Sequence, residues 1–168
     1  YLKDKVEKRS GQKRPYMVLY HFNLGYPVLD EACEFVTNAE YIRPRDEEAA
    51  KGESWRIGFQ KPENGFKEQV FYHHPRADQD GYAAAALVNH SLHFGAYIRF
   101  RVAELPHLVQ WKMMGEGTYV VGLEPGRRRF TFGNAAYDVA PLELDARAGA
   151  TVNARASVQR IVKRPRWL

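Results

Sequence analysis

The chain has 168 residues, of which 45% are hydrophobic and 27% charged, with a formal net charge of +5. That is the make-up of one ordinary folded domain, read here as a single domain over residues 1–168 that buries one core. It excludes an internal disulfide framework, because Cys33 is the single cysteine, and a membrane helix, because no apolar run nears the about 20 residues a span needs.

The first segment, Tyr1 to Arg14, is too charged for a signal peptide. Together with the lone cysteine this points to a reducing compartment, the cytoplasm. The chain opens without an initiator Met, straight into a possible strand around Val6. It reads as truncated at its N-terminus. Positive charge gathers at the two ends and in Arg127, Arg128 and Arg129. No nucleic-acid motif accompanies it, so these are read as solvated segments with no nucleic-acid partner.

From Tyr16 an alternation begins. Met17, Leu19, His21 and Asn23 share one face, and Tyr16, Val18, Tyr20 and Phe22 the other. Both faces are largely apolar, which predicts an internal strand, ended by Gly25 and Pro27. A short strand follows between Phe35 and Ile42. Asp46 is placed to cap a helical turn, EEAAKG, closed by Gly52. After a Gly- and Pro-punctuated loop, EQVFYHHP predicts a strand with Gln69, Phe71 and His73 on one face. YAAAALVNHSLHFGAYIRFRV reads as two strands around a turn at His90 to Gly95, and LVQWKMM and TYVVGLE as two more around GEG. GRRRFTFGNAAYDVAP reads as loop, and ATVNARASVQRIV as a last alternating strand. About eight strands and hardly any helix predict an all-β, antiparallel sandwich or open barrel.

Three strands carry polar groups where apolar ones are expected. His21 is open to two readings, a hydrogen-bonded core or edge histidine or a catalytic group at a strand end. Glu124 shares a face with Val120 and Gly122, and Pro125 is expected to stop that strand. A carboxylate there is costly unless paired or placed in a cleft. Gly122 removes a side chain and leaves room for an approach to the sheet. His73 and His74, adjacent on a strand, point to opposite faces, so no metal site is assigned to them and Asp78. Trp111, Met113 and Met114 read as packing rather than a ligand shelf, although Trp and Tyr near polar groups would suit a sugar, whose apolar face stacks on a ring. Cys33 lies among carboxylates that raise its pKa, and no nucleophilic role is given to it.

The blocks MVLYHFNLGYPVLDE, EQVFYH and LPHLVQWKMMGEGTYVVGLEP, in this order, resemble the aldose 1-epimerase (galactose mutarotase) superfamily, within it a DUF4432-type aldose epimerase-like branch. The resemblance runs from about Tyr16 to Val158. It implies a galactose mutarotase-like supersandwich, of which this chain is similar to the C-terminal part. It implies that His21, in HFNL, is the general acid and Glu124, in GLEP, the general base of sugar-anomer interconversion. By the same resemblance Asn23, His73, Gln110 and Lys112 are substrate-binding residues, the ligand is a small carbohydrate, and neither cofactor nor metal is needed. The upstream arginine and histidine that hold the sugar in the family have no counterpart. Either an upstream half is lost, or a second copy covers the exposed sheet edge as a homodimer. A non-catalytic carbohydrate-binding sandwich is the alternative.

Overall fold

Two antiparallel sheets hold nearly all regular structure in the computed structural model, which describes residues 2–7, 17–127 and 151–161. In chain order the strands are β1 (Leu2–Glu7), β2 (Val18–Leu19), β3 (Phe22–Leu24), β4 (Cys33–Thr37), β5 (Ala39–Pro44), β6 (Gln69–Pro75), β7 (Tyr82–Asn89), β8 (Phe94–Arg101), β9 (His107–Gly115), β10 (Thr118–Arg127) and β11 (Thr151–Ile161). Among the described residues the single α-helix is α1, Glu47–Lys51. One sheet has the order β1-β11-β8-β7-β4. The other runs β2-β10-β9-β6-β5, with β3 also paired to β10.

Alternation builds the core between them. Ala83, Ala85 and Leu87 of β7, Ile98 and Phe100 of β8, and Phe35 of β4 face Leu108 and Met114 of β9 and Val121 and Leu123 of β10. All are buried, and each large one contributes about 1.5–3 kcal/mol by leaving water. The alanine run of β7 is strong helix former by itself. Pairing on both sides overrides that preference, with β4 on one flank and β8 on the other.

The stretch Phe35 to Ile42 is two strands, not one. β4 belongs to the first sheet and β5 to the second. Asn38 sits at the crossing and ties both: its Nδ2 donates to the Arg76 carbonyl, 2.5 Å, and its Oδ1 accepts from Ala84 N–H, 3.2 Å. The capped turn forms as expected. Ala49 N–H donates to the Asp46 carboxylate at 2.9 Å, and Gly52 N–H to the Ala49 carbonyl at 3.0 Å. Gly52 is needed for space, since a Cβ there would lie 1.9 Å from Gln69 Oε1.

Three expectations are corrected. The strand from Tyr16 is not internal: among the described residues β2 and β3 pair with β10 alone, an edge ribbon broken at Tyr20 and His21. Pro125 does not stop β10, which continues to Arg127. The Pro125 carbonyl accepts from Tyr20 N–H at 3.0 Å. A residue's N–H and C=O point to the same side of a strand, so the donor Pro125 lacks faces the break in the edge ribbon and costs no ladder bond to β9. Arg127 is buried rather than solvated. It donates from Nε to the Glu104 carbonyl at 2.9 Å and from its Nη2 to that of Ala103. Arg128, Arg129 and the expected loop after them lie outside the described residues, as does the turn at Ser10-Gly11.

Candidate active site

One face of the β10-bearing sheet packs against the other sheet, and on its opposite face Val70, Val109 and Glu124 are buried while the His21 side chain is 43% exposed. Register decides which side chains share this outer face. Asn23 of β3 is opposite Gly122 of β10, Gly122 opposite Trp111 of β9, and Trp111 opposite Val70 of β6. The next row is Glu124, Val109, Tyr72 and Arg43. His21 reaches this face from the break between β2 and β3.

There His21 Nδ1 lies 2.9 Å from Glu124 Oε1, with the histidine side chain 43% exposed and the glutamate side chain 9%. His21 Nε2 lies 2.6 Å from Asn23 Oδ1. The His21 ring leans on the Trp111 indole, centroids 5.9 Å apart. Gly122 makes this possible. A Cβ on it would stand 3.1 Å from His21 Nε2 and 3.2 Å from Glu124 Oε1, tighter than ordinary contact. The glycine therefore supplies the flat spot over which the pair closes.

The indole is fixed from its far side. Trp111 Nε1–H donates to Glu68 Oε2 at 2.7 Å, and Arg45 Nη2 donates to Glu68 Oε1 at 3.0 Å. Those bonds, the tryptophan's first, hold the Glu68 carboxyl below its ordinary pKa. Arg45 Nε donates in turn to Asp46, the cap of α1. The arrangement offers an acceptor–donor pair beside an aromatic face. Such a combination suits a polar ring compound with one apolar face.

The sequence-assigned residues divide. His21, Asn23 and Glu124 come together. His73, Gln110 and Lys112 do not join them. They alternate with Tyr72 and Trp111 and so point to the inner face of the same sheet, where they are 3%, 0% and 0% exposed. His73 Nε2 is 3.2 Å from Gln110 Oε1, and its ring packs on Phe35 at 5.1 Å. Burial pushes the His73 pKa down to about 4. Gln110 Nε2 donates to the Arg56 carbonyl at 2.9 Å. Lys112 Nζ donates to the carbonyls of Trp55, 2.5 Å, and Gly58, 2.8 Å, and lies 4.7 Å from the centre of the Phe59 ring. Desolvation lowers its pKa to about 7. This is a buried polar layer that fastens the segment from Trp55 to Phe59 to the sheet. His74 points the other way and stacks on Tyr41, 4.9 Å and 2°. Cys33 is buried and free, its pKa pushed up to about 12, mainly by burial and then by Asp30. Among the described residues no three His, Cys, Asp or Glu side chains gather closely enough to hold a metal ion.

Glu68 and Arg45 were missed in the sequence, and Trp111 was read as packing rather than a ligand shelf. The signal was there for Trp111. A GEG hairpin with Gly115 opposite Thr118 puts 114 opposite 119 and, step by step, 111 opposite 122. That register sets Trp111 beside Gly122 and turns Gln110 and Lys112 away.

The sequence profile of the family described as Domain of unknown function (DUF4432) matches residues 1–141. The chain belongs to this family. No curated protein matches it. The DUF4432 chain is also similar to a crystal structure of a protein described as a candidate aldose 1-epimerase, from Klebsiella pneumoniae subsp. pneumoniae MGH 78578. The TM-score is 0.80 and the identity 28%, over 95% of this chain and 42% of that one. The all-β, aldose epimerase-like fold expected from the sequence is therefore the observed one, and the chain spans less than half the length of the protein it matches. No helix among the described residues is long and apolar enough to cross a membrane.

Proposed function

We propose that this chain interconverts the anomers of a free aldose or close relative by acid/base ring opening. The observation that carries the reading is the His21–Glu124 pair, 2.9 Å apart over Gly122. The likeness to the Klebsiella protein supports it. Glu124 takes the proton of the anomeric hydroxyl. The bond from the anomeric carbon to the ring oxygen breaks, its electrons stay with that oxygen, and His21 protonates it. Rotation about C1–C2 and reversal of the same transfers close the ring on the other face. A carboxylate and an imidazolium are matched to these tasks near neutral pH. Trp111, held by Glu68, offers the apolar face of the sugar a surface.

A cytoplasmic location and a homodimer through the edge ribbon belong to the same proposal, and light scattering of the purified chain tests the second. The alternative is carbohydrate binding without turnover, which the aromatic face of Trp111 beside the polar pair would also serve. Substitution separates the two. Glu124→Gln removes the base and keeps the shape, so anomer exchange falls by about a thousandfold while sugar binding persists. Binding by a folded parent that exchanges no anomers would select the alternative.

A further inference from the structure

His21 has two ring nitrogens, and both face acceptors. Nδ1 meets the Glu124 carboxylate at 2.9 Å. Nε2 meets the Asn23 amide oxygen at 2.6 Å. An amide oxygen only accepts. Both nitrogens can donate at once only when each carries a proton, in the imidazolium form. Its surroundings fit that charge. Glu124 from β10 balances it, and the Trp111 ring from β9 stands 5.9 Å away. Behind that ring Glu68, the residue before β6, is tied to Arg45. Asn23 is opposite Gly122 in the ladder, and the missing side chain of Gly122 leaves Nε2 its space.

We propose that Asn23 is a positioning residue for His21: its amide oxygen keeps a proton on Nε2, at the place where a ligand's ring oxygen takes over as acceptor. This rests on the acid role of His21 proposed above. When the ring oxygen replaces Asn23, the Nε2–H bond breaks and an O–H bond forms. Glu124 gains the anomeric hydroxyl proton in the same turnover. The positive ring and negative carboxylate then become a neutral pair joined through Nδ1, so no net charge is created beside the indole. Asn23 works through His21 and needs no bond to the sugar of its own.

Nitrogen-15 spectra of the histidine rings of the 168-residue chain at neutral pH test this without any sugar. The expected result is a His21 ring protonated on both nitrogens in the parent. In Asn23→Leu the Nε2 proton is lost from a large fraction of molecules, and in Asn23→Asp it is restored. A parent ring bare at Nε2 would mean the amide presents its NH2 group and overturns the proposal. So would an Asn23→Leu ring, in a variant with a parent-like melting curve, that keeps both protons. The pH profile of anomer exchange adds the second readout. Its alkaline limb moves down by about one pH unit in Asn23→Leu and up in Asn23→Asp. A shift in one common direction would also overturn it. A doubly protonated ring in a parent that exchanges no anomers would instead sink the acid role and leave the hold on the Nε2 proton standing.

Discussion

The two faces of the β10-bearing sheet are built from alternate residues of the same strands, yet their polar groups meet opposite fates. On the outer face, His21 bonds to Glu124 and Asn23, and Glu68 to Trp111 and Arg45, with the His21 side chain 43% exposed. On the inner face, His73, Gln110 and Lys112 have their bonding spent on each other and on backbone carbonyls of the segment from Trp55 to Gly58. Burial disfavours the charged forms of His73 and Lys112. The lesson is that a histidine or lysine on a strand next to a site is no evidence of membership. A shift of one residue reverses its face.

This contrast predicts that outer-face changes cost activity and inner-face changes cost stability. The largest effect is that of Glu124→Gln, about a thousandfold in anomer exchange, with a melting temperature near the parent's. A similar free energy appears on the inner face as pH dependence. The unfolded His73 takes up its proton near 6.5, the folded one only near 4. Its contribution to stability is therefore complete above pH 6.5 and is lost as pH falls to about 4, at most about 3 kcal/mol. Denaturant titrations across that range, with His73→Phe beside the parent, check this. The variant should show a flatter profile, and an equally steep one would break the comparison. Lys112→Met leaves the carbonyls of Trp55 and Gly58 without their donor and should cost about 2 kcal/mol of unfolding free energy. Gly122→Ala is the mildest. Its Cβ would press on His21 and Glu124 from 3.1–3.2 Å, a gap that small side-chain movements relieve. Exchange should drop by about tenfold, with stability changed little, since the geometry of acid and base is sensitive to such shifts.

Much of the fold was legible because period-two patterns and glycine turns are local. The strands from Gln69 to Pro75 and from Thr118, the helical turn capped by Asp46, and the flat spot at Gly122 all follow from neighbouring residues. What was not legible depends on pairing. Nothing local distinguishes β4 from β5, because Asn38 matters only through Arg76 and Ala84, distant in sequence. Pro125 reads as a stop until its missing donor is known to face the break at Tyr20 and His21. HFNL and GLEP singled out His21, Asn23 and Glu124, side chains that the structure brings together. The inner-face residues were misplaced because a histidine in EQVFYHH attracts attention, whereas Glu68, at the start of the same stretch, looks like a surface charge. Only its bond to Trp111 Nε1 gives it a place in the site.

The most direct test of the two-face account is exchange spectroscopy between α and β anomers of a panel of aldoses, comparing the parent, Glu124→Gln and Lys112→Met at equal concentrations of folded protein. The account predicts accelerated exchange in the parent, a rate near background in Glu124→Gln, and a parent-like rate in Lys112→Met despite its lower stability. Loss of exchange in folded Lys112→Met, or undiminished exchange in Glu124→Gln, would contradict it.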